Sequence, residues 1–116
     1  MKLADIAREL ELEELTPKDT DENAIEIVRG YASYLLSDVL SHAPEGGILI
    51  TLQVHLNVLA VASHAGLAAV IFAGGRQPGD DVLAKAVEED IALYSSTKDT
   101  FAIVGRLYVL GVKGNA

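Results

Sequence analysis

The chain has 116 residues, half of them hydrophobic and only 5% aromatic, with a formal net charge of −8 from 17 acidic and 9 basic side chains. One hydrophobic core fits in that length and two ordinary domains do not. The acidic balance disfavours nucleic-acid backbones and anionic membrane surfaces as partners, and the absence of cysteine removes disulfide scaffolds, thiolate metal sites and cysteine nucleophiles together.

Leu3, Ile6, Ala7 and Leu10 recur at helical spacing and predict an amphipathic helix over 2–10. Leu12 and Leu15 flank two glutamates in a short strand. Residues 16–23 are polar, contain Pro17 and read as a mobile loop. Ile25, Ile27 and Val28 alternate with Glu26 as a half-buried strand ending at Gly30. From Ser33, the residues Leu35, Leu36, Val39, Leu40 and Ala43 line one helical face, which Pro44, Gly46 and Gly47 terminate. A buried strand over 48–52 is followed by a helix over 56–65, a strand over 69–72 and a helix after Pro78 that carries Val82, Leu83, Ala86 and Val87. A last strand covers 91–94, and a helix over 98–110 carries Phe101, Val104, Leu107 and Tyr108. The tail 111–116 is expected to fray.

Short apolar strands alternating with helices define an α/β fold. The expectation is a three-layer sandwich with a mainly parallel sheet built from βαβ units, forming one domain over 1–116. The charged opening residues are not a signal peptide, and 46–72 is too interrupted by Gln53, His55, Asn57 and Gly66 to span a membrane, so a cytoplasmic location is expected. The helix over 56–65 is apolar on most sides, and in so small a domain a second copy is expected to cover part of it.

In open parallel sheets, ligands bind at the loops after the carboxyl ends of the strands. Polar residues collect at those ends: Gly30, Tyr31 and Ser33; Gln53, His55 and Asn57; Gly74, Gly75 and Arg76; then Ser95, Ser96 and Thr97. Gly74-Gly75-Arg76 is either an anion-binding turn carrying a guanidinium or a Gly-Gly connection with a solvated Arg. It matches neither the dinucleotide nor the Walker spacing. His55 is either a ligand donor or a helix cap. At about 100° per residue, His55 and His64 fall on opposite sides of one helix, and no HxxxH spacing is present, so neither a metal nor another cofactor is expected. Thr97 and Ser33 read as helix N-caps. No GxSxG is present and the acidic pairs lie on solvated positions, so no catalytic residue is assigned.

Taken together, Gly30-Tyr31-Ala32-Ser33, Leu35-Leu36-Ser37-Asp38-Val39, Ile50-Thr51-Leu52-Gln53, His55, Asn57, Gly74-Gly75-Arg76-Gln77-Pro78 and Gly105-Arg106-Leu107-Tyr108 resemble the DRTGG-domain family. The likeness runs from about residue 3 to 111. It implies a fold like the N-terminal domain of HPr kinase/phosphorylase, a regulatory or architectural role without catalysis, and pairing into homodimers. The namesake segment falls on 24–30, where Ala24, Ile25, Val28 and Arg29 replace its polar and first glycine positions and only Gly30 survives.

The leading expectation is therefore a non-enzymatic module that senses a small anionic metabolite or nucleotide at Gly30, Tyr31, Ser33, Gln53, His55, Asn57, Gly74, Gly75 and Arg76. The alternative is a protein–protein interaction subunit of a larger complex, for which the resemblance points to a hydrogenase. A third reading, a small hydrolase or transferase, needs His55 within hydrogen-bond reach of Ser95 or Ser96.

Overall fold

Each central strand is short, and every residue in it is buried, the signature of parallel strands covered on both faces. A computed structural model describes residues 1–17 and 24–115. The predicted loop over 16–23 lies outside the described residues from 18 to 23. The elements are α1 (Leu3–Glu9), β1 (Glu13–Glu14), β2 (Gly30–Ala32), α2 (Leu36–His42), β3 (Ile48–Thr51), α3 (Asn57–Ala65), β4 (Ala69–Phe72), α4 (Asp80–Glu88), β5 (Ala92–Ser95) and α5 (Thr100–Val109).

The five strands form one sheet in the order β1-β5-β4-β3-β2. β2 to β5 are parallel, and β1 closes one edge antiparallel to β5 through Glu13–Ser95 and Glu14–Tyr94. Because β2, β3, β4 and β5 follow one another in a single direction, crossovers of one hand deliver α2, α3 and α4 to the same face. Leu49, Val70 and Leu93 point to that face and pack with Val39, Val58, Leu59, Ala62, Val82 and Ala86. Ile48, Ile50, Ile71 and Tyr94 point the other way and meet Leu3 and Ile6 of α1 and Ile103 and Leu107 of α5. The result is the expected three-layer α/β sandwich. Full burial of each such aliphatic side chain contributes roughly 1.5–3 kcal/mol before entropy is counted.

Two expectations are corrected. The alternation at Ile25 and Ile27 does not form the sheet strand. These residues pair instead with the chain start: Ile27 N–H donates to Met1 O at 2.8 Å and Leu3 N–H to Ile25 O at 2.9 Å. Ile27 is thereby buried against α1, and the chain enters the sheet only at Gly30.

Nor is the tail free through Gly111–Asn115. Val112 is only 4% exposed, and Lys113 pairs in parallel with Arg29. Gly30 N–H donates to Lys113 O at 2.8 Å and Lys113 N–H to Val28 O at 3.2 Å. The apolar side chain that anchors it is the lone Val of an otherwise polar, glycine-rich end.

α3 is covered in part by its own chain, while Leu56 and Ala60 stay exposed. It lies between α2 and α4 of its own chain, with Val58, Leu59 and Ala62 buried.

Candidate functional site

The loops after β2, β3, β4 and β5 do gather on the carboxyl edge of the sheet, because the four strands are parallel and in register. The edge divides into two parts. At the β4–β5 end, the loops are tied to each other: Gly74 N–H donates to Lys98 O at 2.8 Å and Gly75 N–H to Ser96 O at 2.7 Å. Both glycines adopt left-handed backbone, at φ 68° and 72°, which turns their N–H groups toward the neighbouring loop. These two donors are therefore already used within the chain. Ser95 Oγ donates to Arg76 O at 2.9 Å and accepts from Gln77 Nε2 at 3.2 Å, and Gln77 also reaches Glu13 Oε1 at 2.9 Å. Arg76 itself is exposed, and among the described residues its guanidinium makes no hydrogen bond or ion pair.

At the β2–β3 end lies a cleft of about 180 Å³ lined by Ala32, Ser33, Tyr34, Ile50, Thr51, Leu52 and Thr100. Four of these residues bring hydroxyl groups, and Thr100 opens α5. Thr51 is 1% exposed and its Oγ1 accepts the Gln53 N–H at 3.1 Å. Sites for whole drug-sized ligands run to roughly 300–1,000 Å³, so this cleft has room for a phosphate or carboxylate and not for an entire nucleotide.

The residues expected from sequence divide between these places and others. Ser33 lines the cleft, and its Oγ accepts the Leu35 N–H at 3.2 Å, turning the chain into α2. His55 Nδ1 accepts the Asn57 N–H at 3.1 Å in the turn that leads into α3, whose N-cap position is Leu56. Gln53 and Asn57 belong to this same turn. Gly30 leaves the site: it begins β2 rather than following it, so it sits at the amino edge with its N–H bonded to Lys113. Thr97 is not the cap of α5. Asp99 is, its Oδ1 accepting the Ala102 N–H at 2.9 Å.

Tyr31 does something the sequence did not announce. Its hydroxyl donates to Asp38 Oδ2 at 2.8 Å, while His42 Nδ1 lies 3.1 Å from Asp38 Oδ1. The hydrogen bond from Tyr31, helped by Ser33 and His42, holds the Asp38 carboxyl below the usual carboxylate range. The same bond to Asp38 pushes the Tyr31 hydroxyl up. Asp38 and His42 stand one helical turn apart on α2, a spacing visible in the sequence. Only the fold brings Tyr31 onto them. Tyr34, Thr51 and Thr100 were also missed; Thr51 is the one hydroxyl of β3, which was the available signal.

Ser95 and Ser96 are separated from the β3 end by β4, and Ser96 Oγ accepts the Lys98 N–H at 3.1 Å. The strand-end hydroxyls and His55 are engaged in turns and loop ties. Among the described residues no three His, Asp or Glu side chains are placed to hold a metal ion, and no helix is long and apolar enough to cross a membrane.

The fold is a singly wound α/β domain whose sheet is covered by helices on both faces. No family model matches the sequence, and no curated protein matches it. Among solved structures, the chain is similar to the CBS and DRTGG domains of the regulatory region of Clostridium perfringens pyrophosphatase, solved with its activator diadenosine tetraphosphate. The TM-score is 0.73 at 19% sequence identity, over 96% of this chain and 47% of that one. The chain thus spans about half of its structural neighbour, and it has a DRTGG-like fold.

Proposed function

We propose that this protein is a regulatory module, working as one cytoplasmic domain in paired copies, that senses a small phosphate-bearing ligand and catalyses no reaction. The observation that carries the reading is the match of nearly the whole chain to part of a regulatory region solved with a nucleotide activator. The hydroxyl-lined cleft at Ser33, Thr51 and Thr100 is large enough for one phosphate group. Arg76 and Lys98, on the two tied loops at the β4–β5 end of the same sheet edge, carry positive charge on an otherwise acidic protein. The bulk of a nucleotide would lie outside the cleft, on the surface or against a second copy.

Isothermal titration and thermal-shift measurements against inorganic phosphate, AMP, ADP, ATP and diadenosine tetraphosphate test this. Saturable binding that is weakened in Thr100→Val and Arg76→Ala is the expected result. The absence of any response across that set overturns the sensing role.

A further inference from the structure

On the face of the sheet that carries α1 and α5, the inner strands present Ile48, Ile50 and Ile71. The edge strand β2 presents only Gly30 and Ala32 there. Residues paired in register point to the same face, so these two stand beside Ile48 and Ile50, while Tyr31 turns away to Asp38 on α2. The small residues leave a recess of about 80 Å³ between β2, α5 and the tail, walled by Ile50, Val104, Leu107 and Val112. Tyr108 and Lys113 close the end remote from Thr100. Lys113 Nζ lies 3.6 Å from the centre of the Tyr108 ring and donates to Tyr108 O at 3.2 Å.

Nothing in the chain requires the glycine. Gly30 does not adopt left-handed backbone, and a Cβ built on it meets Ile48 and Val112 at 3.5 Å, an ordinary contact. A valine suits a strand and would fill the space, and protein cores are otherwise packed with few voids. The recess also continues the hydroxyl-lined cleft. Ala32 and Ile50 wall both, and Thr100, Val104 and Tyr108 follow one another along a single face of α5. An apolar recess joined to a small set of polar groups has the make-up of a small-molecule site.

We infer that the ligand is a phosphomonoester with a short aliphatic chain, its phosphate among Ser33, Thr51 and Thr100 and its chain in the recess beside Gly30 and Ala32. This rests on the phosphate-sensing part of the proposed function and names the chemical class that the site takes. An apolar cavity of ~150 Å³ holds one benzene ring, so about half that volume holds a chain of roughly three or four carbons. A nucleoside is too large for it.

Isothermal titration of the full chain with inorganic phosphate and with methyl, ethyl, propyl, butyl and octyl phosphate tests this. Affinity is expected to rise roughly threefold to fourfold with each carbon up to propyl or butyl, and to level off beyond. AMP should bind no better than methyl phosphate, and AMP binding above butyl phosphate overturns the inference. Gly30→Val fills the recess without lining the cleft and should collapse the series onto the affinity of inorganic phosphate, with circular dichroism unchanged. Gly30→Ala, whose added Cβ makes only ordinary contacts, should flatten the series in part and carries the same test if valine is not tolerated. A gain with chain length that survives undiminished in the folded glycine variants overturns the placement in this recess. Where phosphate or nucleotides bind and chain length has no effect, the inference falls and the sensing role stands. No binding by any of these compounds overturns both.

Discussion

The backbone N–H of Gly75 donates to the carbonyl of Ser96 at 2.7 Å, which joins the loop after β4 to the loop after β5. That bond exists because Gly75 sits at φ 72°, where a side chain is strained even though open space surrounds the position. Gly75→Ala is therefore expected to destabilise the protein by about 1–2 kcal/mol. Gly75→Asn, whose short polar side chain tolerates this backbone better, should cost less. Urea midpoints at constant m-value check both.

The Tyr31–Asp38 bond makes stability depend on pH at two ends. Asp38 is held below its ordinary value, so its contribution is present above about pH 4 and is lost as pH falls through the folded-state value. Tyr31 is raised above its ordinary value, so its contribution is present below about pH 10 and is lost as pH rises through the folded-state value. Tyr31→Phe should lower the Tm most on the plateau between those limits, with the difference from the natural protein narrowing toward each end. A difference constant across the whole range excludes the bond as its source.

Truncation after Gly111 removes the buried Val112 and both backbone bonds that Lys113 makes beside β2. The loss is expected to be on the order of 3 kcal/mol, from one buried valine and two hydrogen bonds. It also bares the β2 edge, so the shortened protein should aggregate more readily in light scattering. Equal stability with and without the tail contradicts its placement.

Arg76 is exposed and, among the described residues, its side chain is unpartnered, so Arg76→Ala should leave the Tm in the absence of ligand nearly unchanged, within roughly 0.5 kcal/mol. The same variant should lose most of the shift that phosphate-bearing compounds produce. Retention of the full shift places the ligand elsewhere on the molecule.

Much of this protein was set by its sequence alone. Continuous apolar runs such as Ile48-Leu49-Ile50 and Ala69-Val70-Ile71-Phe72, short and bounded by glycines, read as strands buried on both faces, and the helices between them point to a parallel sheet of one hand. That is a local, periodic signal, and it carried the α/β sandwich and the collection of polar loops at one edge. The segment at Ile25 and Ile27 misled because half-buried alternation says that one face is covered without saying by what. Its cover is the chain start and α1.

What only the tertiary structure decided is which partners meet. Gly74 and Gly75 could have faced a ligand or a loop, and their N–H groups bond to Lys98 and Ser96, residues distant in sequence. Tyr31 meets Asp38 because β2 and α2 fold onto each other. Phe101 and Val109 follow the same apolar period as any core helix. Yet α5 lies beside α1 on the face opposite α2, α3 and α4, and among the described residues Phe101 and Val109 stay exposed there. Periodicity fixes which residues share a face; the order of the elements in space decides which faces are left uncovered.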